Sequence, residues 1–172
     1  HGRGTPELTG VDSRVDLLSG TMGKALGGAS GGFISGRTEI VDLLRQRARP
    51  YLFSNSVPPS VVQATRAVLQ MLQSSDDLRA RLRANTVLFR TLLTESGFDL
   101  LPGETPIVPV MFGDAVAASA FASRLRAHGV YAVAFSYPVV PMGKARIRTQ
   151  VSAAHSEADI RAAAAAFIAA RG

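Results

Sequence analysis

The chain has 172 residues, a formal net charge of +6 and no cysteine, and 47% of its residues are hydrophobic while 19% are charged. This length fits one domain, or one small domain with part of another, and the composition allows a buried core. The absence of cysteine excludes a disulfide framework and a thiolate metal site. No apolar run reaches the roughly 18 residues of a membrane span, so we expect no membrane partner and a cytoplasmic location, or the mitochondrial matrix in a eukaryote.

The positive charge raises the question of nucleic-acid binding. Most arginines are spread through segments with helical spacing, where a solvated face explains them, and aromatic residues make up only 6% of the chain. A stacking platform for single strands is therefore poorly supported, and we expect no nucleic-acid partner. A phosphate-rich small molecule such as coenzyme A would use the same positive field.

The first part of the chain alternates short apolar runs with glycines, and a helical period follows. A helix is expected to end before Pro50, because the residue ahead of a proline avoids helical angles. In chain order the sequence predicts a buried strand at 15–18, a glycine-dense stretch at 20–32, a strand at 32–35, a helix at 38–48, a loop at 51–56 and a helix that starts at Pro58 and Pro59.

The polar patch at 74–77 predicts a helix start and is the best candidate for a domain boundary, which gives domains 1–73 and 74–172. The second part alternates helical and strand periods, and Ser156 with Asp159 resembles a capping box. The predicted elements are a helix from 78 to 97, a strand at 107–112, a helix at 114–128, strands at 130–135 and 145–151, and a helix at 156–170. This alternation predicts an α/β layered fold.

A lysine stands in the middle of the glycine-dense stretch. Lys24 is surrounded by glycines and apolar residues, and burial there would penalise the charged amine in favour of the neutral, nucleophilic form that a Schiff base requires. Thr21 could offer a hydroxyl to a phosphate. A surface loop with an ordinary lysine remains the open alternative. A nucleotide phosphate loop is excluded, because its pattern needs glycine and Ser or Thr where the chain has Leu18 and Ala25.

The strand predicted at 145–151 places two arginines on one face. Period-two alternation puts Arg146 and Arg148 together, where they could clamp a carboxylate, although by itself the pattern favours the solvated outer face of an antiparallel sheet. His128 stands at a predicted helix end, where a cation complements the helix dipole, and His155 has no partner at metal spacing. We therefore predict no metal site.

These segments resemble a known family. The stretch at 20–32 reads GTMGKALGGASGG and is similar to the cofactor-lysine segment of the α-oxoamine synthases, which use pyridoxal 5'-phosphate (PLP). The segments most similar to the members that condense glycine with acetyl-CoA are RQRARPYLFSNS at 45–56, YPVVP at 137–141 and ARIRTQVSAAH at 145–155. The resemblance covers nearly the whole chain and implies the C-terminal part of a fold-type I PLP-dependent transferase.

The resemblance also implies roles for individual residues. Lys24 would hold PLP and later remove a proton from glycine, while Thr21 would bind the cofactor phosphate. Ser54 and Asn55 would reach the phosphate of the partner subunit's cofactor in a homodimer. Arg148 would hold the amino-acid carboxylate, with Arg146 as the second choice. The implied reaction forms 2-amino-3-oxobutyrate and CoA, in threonine catabolism.

The family's chains are much longer than this one. The resemblance implies that an aspartate facing the pyridine nitrogen, a histidine near the phenolic oxygen and a stacking aromatic residue lie upstream, and His1 does not match that histidine. Residues 1–73 would then be the end of the large PLP-binding domain, and 74–172 the small C-terminal domain. Two alternatives stay open: another α-oxoamine synthase, of the 8-amino-7-oxononanoate or 5-aminolevulinate type, or a non-catalytic dimerisation or binding module.

Overall fold

A computed structural model describes residues 2–171, so His1 lies outside the described residues. The chain divides into two compact units, the first ending at Asp76 and the second beginning at Asp77. The boundary expected from the sequence lies three residues earlier, between 73 and 74.

The first unit combines a β-hairpin with helices. Strands β1 and β2 pair antiparallel, from Leu17 opposite Gly36 to Thr21 opposite Gly32. Its elements are α1 Thr5–Thr9, a 3-10 turn at Asp12–Arg14, β1 Leu17–Thr21, β2 Gly32–Gly36, α2 Thr38–Arg47, α3 Arg49–Phe53 and α4 Pro59–Ser74.

The first strand and the loop at 51–56 of this unit differ from the expectations. The first strand is not buried: Leu17 and Leu18 are about two-fifths exposed, because among the described residues β1 pairs only with β2. The strand also starts two residues later than expected and includes Thr21. The predicted loop at 51–56 begins with the end of a short helix, α3, in which Pro50 occupies the first turn. Proline is tolerated there because a first-turn N–H has no helical acceptor.

The second unit is a three-stranded antiparallel sheet with three helices. The sheet order is β3-β5-β4, so the last strand in sequence lies in the middle. Its elements are α5 Asp76–Glu95, β3 Ile107–Gly113, α6 Ala115–Ala127, β4 Val133–Phe135, β5 Ala145–Gln150 and α7 Glu157–Ala169. Helix α6 connects the two outer strands, β3 and β4. This confirms the predicted α/β class.

The core of the second unit lies between the helices and one face of the sheet. Phe167 and Leu93 are fully buried there, and Phe167 makes edge-on contact with Phe89 at a centroid distance of 5.9 Å. Ile147 of β5 faces this core, whereas its neighbours Arg146 and Arg148 lie on the opposite face. The predicted alternation of β5 is confirmed.

Strand β4 is shorter than predicted. It covers three residues instead of six, because its pairing with β5 starts at Val133 opposite Arg148. The predicted capping box at the start of α7 is present, with Ser156 and Asp159 exchanging hydrogen bonds. No helix in the described part of the chain is long and apolar enough to cross a membrane.

Candidate functional site

Lys24 lies at the tip of the β1–β2 hairpin, in a connection closed by its own backbone. The Met22 amide donates to the Gly31 carbonyl at 2.9 Å, and the Gly28 amide donates to the Met22 carbonyl at 2.7 Å. The Lys24 carbonyl accepts from Gly27 at 2.9 Å. These bonds fix the backbone on both sides of the lysine, so the loop presents Lys24 in a defined place.

Glycine is required at position 28 by the closeness of its surroundings. A Cβ there would lie 2.8 Å from the Met22 carbonyl oxygen and 2.9 Å from Thr65 Oγ1. Thr65 belongs to α4, and its buried hydroxyl has no hydrogen-bond partner among the described residues. The lysine loop therefore packs directly on α4 through Gly28.

The Lys24 side chain is exposed in this chain. The expectation that it is buried among apolar neighbours is wrong for the described residues. The residues beside it in the loop are Gly23 and Ala25, which are too small to cover a long side chain, and they are exposed as well. The neighbours of Lys24 in the loop cannot bury its amine, so burial of the amine requires groups from outside this loop.

Thr21 is the last residue of β1 and lies on the same hairpin as Lys24. Among the described residues its hydroxyl makes only a long hydrogen bond, 3.4 Å, to the Gly31 carbonyl, which leaves it able to turn to another acceptor. A threonine hydroxyl and a lysine amine on one rigid hairpin suit an anionic ligand that also carries a carbonyl group.

Ser54 and Asn55 lie in the exposed segment between α3 and α4. The Ser54 amide closes α3 by donating to the Pro50 carbonyl at 3.1 Å, while neither side chain has a hydrogen bond among the described residues. Val57, two residues further on, packs tightly on Gly31, because a Cβ at that glycine would lie 2.8 Å from Val57. The segment is thus anchored beside the lysine loop with two polar side chains free to bind a ligand.

Arg146 and Arg148 share a face of β5 but differ in their contacts. Arg146 is partly buried, and its Nε donates to the Lys144 carbonyl at 3.0 Å. Arg148 is exposed and lies over the Phe135 ring, 5.6 Å from its centroid, and it donates no hydrogen bond within the described chain. Arg148 is therefore the better candidate for holding a carboxylate.

A cavity of about 650 Å³ opens in the second unit beside the end of β5. Arg148 and His155 line it, as does His128 from the end of α6. His155 Nδ1 accepts a hydrogen bond from the Ser152 amide at 3.2 Å, so the neutral ring carries its proton on Nε2. The cavity walls therefore include hydrogen-bond donors that suit an anion.

The structure also shows contributors that were not predicted as site residues. Asn85 is buried on α5 and holds the turn after β5 by donating to the carbonyls of Ser152 and His155. Phe135 contacts Arg148 across the strands. The sequence signal for Asn85 is a polar residue on the apolar stripe of a helix, whereas Phe135 could be found only from the register of β4 and β5.

Residues 2–167 match the family of class I and II aminotransferases. The chain belongs to this family. It is 52% identical to the 2-amino-3-ketobutyrate coenzyme A ligase of Escherichia coli K12 over 97% of its length, which is 42% of that protein. The mitochondrial protein of the same name from Homo sapiens is 50% identical, and the match covers 97% of this chain and 40% of that protein.

Two further similarities extend the comparison. The 8-amino-7-oxononanoate synthase of Symbiobacterium thermophilum is 42% identical over 97% of this chain and 42% of its own length. The structure of a serine palmitoyltransferase from Sphingomonas wittichii matches with a TM-score of 0.92 at 31% identity, covering 99% of this chain and 43% of that one. The chain thus spans about two fifths of the length of these relatives.

Proposed function

We propose that this chain is the C-terminal part of a PLP-dependent acyltransferase that condenses glycine with acetyl-CoA, giving 2-amino-3-oxobutyrate and CoA. The observation that carries the proposal is Lys24 on a closed glycine-rich hairpin, in a chain 52% identical to a 2-amino-3-ketobutyrate coenzyme A ligase. The same proposal places the protein in threonine catabolism.

The residues of the first unit fit a phosphate-bearing aldehyde cofactor. Lys24 supplies the amine that binds the aldehyde, and Thr21, Ser54 and Asn55 supply polar groups for the phosphate. The exposure of Ser54 and Asn55 supports a role toward the partner subunit's cofactor in a homodimer. Bound PLP would supply an electron sink for the electrons released when a Cα–H bond of the amino acid breaks.

The residues of the chain then have separate tasks. Arg148 orients the amino acid by binding its carboxylate, which requires free guanidinium donors. Lys24, as the free amine, would accept the Cα proton at its Nζ. The exposed position of Lys24 in this chain supports a further element of the proposal: the rest of the active site, including the acid that faces the pyridine nitrogen, is supplied from outside residues 1–172.

A second candidate is another α-oxoamine synthase with a longer acyl-CoA. The 42% identity to an 8-amino-7-oxononanoate synthase favours this candidate over the binding-module alternative. Comparing acetyl-CoA with longer acyl-CoA substrates, and glycine with alanine, distinguishes the two enzymes. For location we propose the cytoplasm in a bacterium and the mitochondrial matrix in a eukaryote, following the mitochondrial relative.

Borohydride reduction of the full-length enzyme after incubation with PLP tests the proposal. Peptide mapping should place the reduced cofactor on Lys24, and Lys144 serves as the internal control because it is the only other lysine in residues 1–172. The unreduced enzyme should release CoA from acetyl-CoA when glycine is added, and Lys24→Ala should not. Label on Lys144, or CoA release by the Lys24→Ala variant at the normal rate, would overturn the proposal.

A further inference from the structure

The Arg148 guanidinium lies over the face of the Phe135 ring, with 5.6 Å between Cζ and the ring centroid. Phe135 ends β4 opposite Arg146, whereas Arg148 stands opposite Val133. The ring and the guanidinium therefore meet along the diagonal between two neighbouring strands. Diagonal neighbours on one face of a sheet lie within reach when one side chain is aromatic and the other is long.

This contact leaves the Arg148 donors free. A guanidinium is attracted to a ring face through the charge distribution of the ring, and no N–H is used as it would be in a hydrogen bond. Arg146 differs, because its Nε is directed to the Lys144 carbonyl. Of the two arginines on β5, Arg148 is therefore held by a ring face that leaves its donors free.

The contact also limits where the guanidinium can lie. Arg148 is exposed, and an exposed arginine without a support samples many rotamers. A carboxylate that binds such a side chain must first restrict it, which weakens binding. Phe135 is half-buried and lies outside the buried core cluster, so packing of the core does not explain its ring.

We propose that Phe135 is a positioning residue for the amino-acid carboxylate, holding Arg148 in a preorganised orientation before the substrate binds. This inference rests on the proposed function, because it takes Arg148 as the carboxylate-binding residue. The ring acts through Arg148 and touches no reacting atom. Removing it should therefore affect glycine binding and leave the cofactor in place.

The experiment compares Phe135→Leu and Phe135→Tyr with the parent full-length enzyme. Phe135→Leu should raise the KM for glycine roughly two- to fivefold, the value expected for an exposed cation–ring contact, while kcat and the PLP absorbance stay within error. Phe135→Tyr keeps the ring and should restore the parent KM. Tyr131→Leu removes a contact of the same kind, that with Arg126 at 5.1 Å, and should leave the KM for glycine unchanged.

A double-variant cycle separates this inference from the proposed function. Arg148→Gln should raise the KM for glycine more than Phe135→Leu does, and adding Phe135→Leu to Arg148→Gln should change nothing further. An unchanged KM in Arg148→Gln would overturn the carboxylate role and the inference with it. A raised KM in Arg148→Gln but not in Phe135→Leu would overturn the role of Phe135 alone, as would additive effects in the double variant.

Discussion

The side-chain amide of Asn85 donates to the backbone carbonyl of His155 at 2.9 Å, joining residues 70 positions apart in the chain. A second bond, 3.2 Å, reaches the Ser152 carbonyl, so one buried amide holds both ends of the turn that follows β5. His155 Nδ1 closes the same turn by accepting from the Ser152 amide. The strand that carries Arg148 thus ends in a turn fixed to α5.

Replacing Asn85 should destabilise the second unit. Asn85→Leu removes both donors and leaves two carbonyls without them in a partly buried turn, at a cost of about 1–3 kcal/mol in the free energy of unfolding. Denaturant titration of the chain measures this. Thr86→Val is the matched control. The neighbouring Thr86 hydroxyl donates to the Leu82 carbonyl of the same helix, and that carbonyl still accepts its backbone hydrogen bond when the hydroxyl is removed. Equal losses from both variants would contradict the role given to Asn85.

The start of α7 should make stability depend on acid. Hydrogen bonds from the Ser156 amide and then from its hydroxyl hold the pKa of Asp159 below its usual value of 3.8. The ionised carboxylate therefore contributes stability above its usual pKa, and this contribution is lost as pH falls through the lowered pKa. Denaturant titrations between pH 6 and pH 2, at steps of about one unit, should show a smaller loss in Asp159→Asn.

Glu157→Gln is the control for that prediction. Glu157 lies in the same first turn but pairs with Arg161 on the helix surface and takes no part in the capping box. The Glu157→Gln variant should therefore lose stability at low pH as the parent does, because Asp159 is unchanged. Ser156→Ala should reduce the free energy of unfolding by about 1 kcal/mol at neutral pH, because it removes the N-cap. Identical pH dependence in Asp159→Asn and the parent would refute the assignment.

Adjacent glycines in the lysine loop should respond differently to alanine. Gly28→Ala places a methyl group 2.8 Å from the Met22 carbonyl oxygen. This should lower the free energy of unfolding by about 1–3 kcal/mol and abolish PLP labelling at Lys24. Gly27→Ala meets open space but requires a positive φ of 69°, which costs about 1–2 kcal/mol. Gly27→Asn, which tolerates that φ better, should recover part of the loss, whereas Gly28→Ser should not.

The two arginines of β5 should not be equivalent. Arg148→Ala should weaken glycine binding roughly ten- to a hundredfold, the value of a charge-assisted contact of about 1.5–3 kcal/mol, and leave PLP binding intact. Arg146→Ala should do less, since its Nε already donates to the Lys144 carbonyl. Steady-state kinetics with varied glycine measure both. If Arg146→Ala is the more severe, the carboxylate role passes to Arg146.

Residues 1–172 expressed alone should neither bind PLP tightly nor catalyse condensation. Leu17, Leu18 and Phe33 are 39–41% exposed on the hairpin, and Lys24 is uncovered. Such apolar exposure should bind a hydrophobic dye, which a fluorescence titration detects. Full condensation activity from this chain alone would show that its own residues complete the site.

Several helices and one strand could be predicted from the sequence because their signals are local, whereas the short helices α1 and α3 could not. The apolar repeat of α4, the capping box of α7 and the alternation of β5 each depend on neighbours a few residues away. The sequence does not distinguish helix α3 from a loop, because a proline in a first turn gives the same local signal as a proline in a loop. The sequence of β4 does not define its length, because the length of a strand depends on its register with the partner strand.

The site was harder to predict than the elements that carry it. The glycine-rich stretch identifies Lys24 as a candidate site residue. Whether the Lys24 side chain is buried depends on residues distant in sequence, which a local pattern does not predict. Phe135 reaches Arg148 only because β4 and β5 pair in one particular register. Asn85 was visible as a polar residue on an apolar stripe, yet its two acceptors lie in a turn far along the sequence.

The central position of β5 sets the order in which the second unit can be made. On the ribosome β3 and β4 emerge before the strand that separates them, and they cannot complete the sheet until Ala145–Gln150 follows. The sheet can therefore assemble only after Ala145–Gln150 has been made, through contacts between distant segments that form slowly. A nonsense mutation shortly before Ala145 removes the strand that both outer strands require, and would leave β3 and β4 with unpaired edges for chaperones and proteases to recognise.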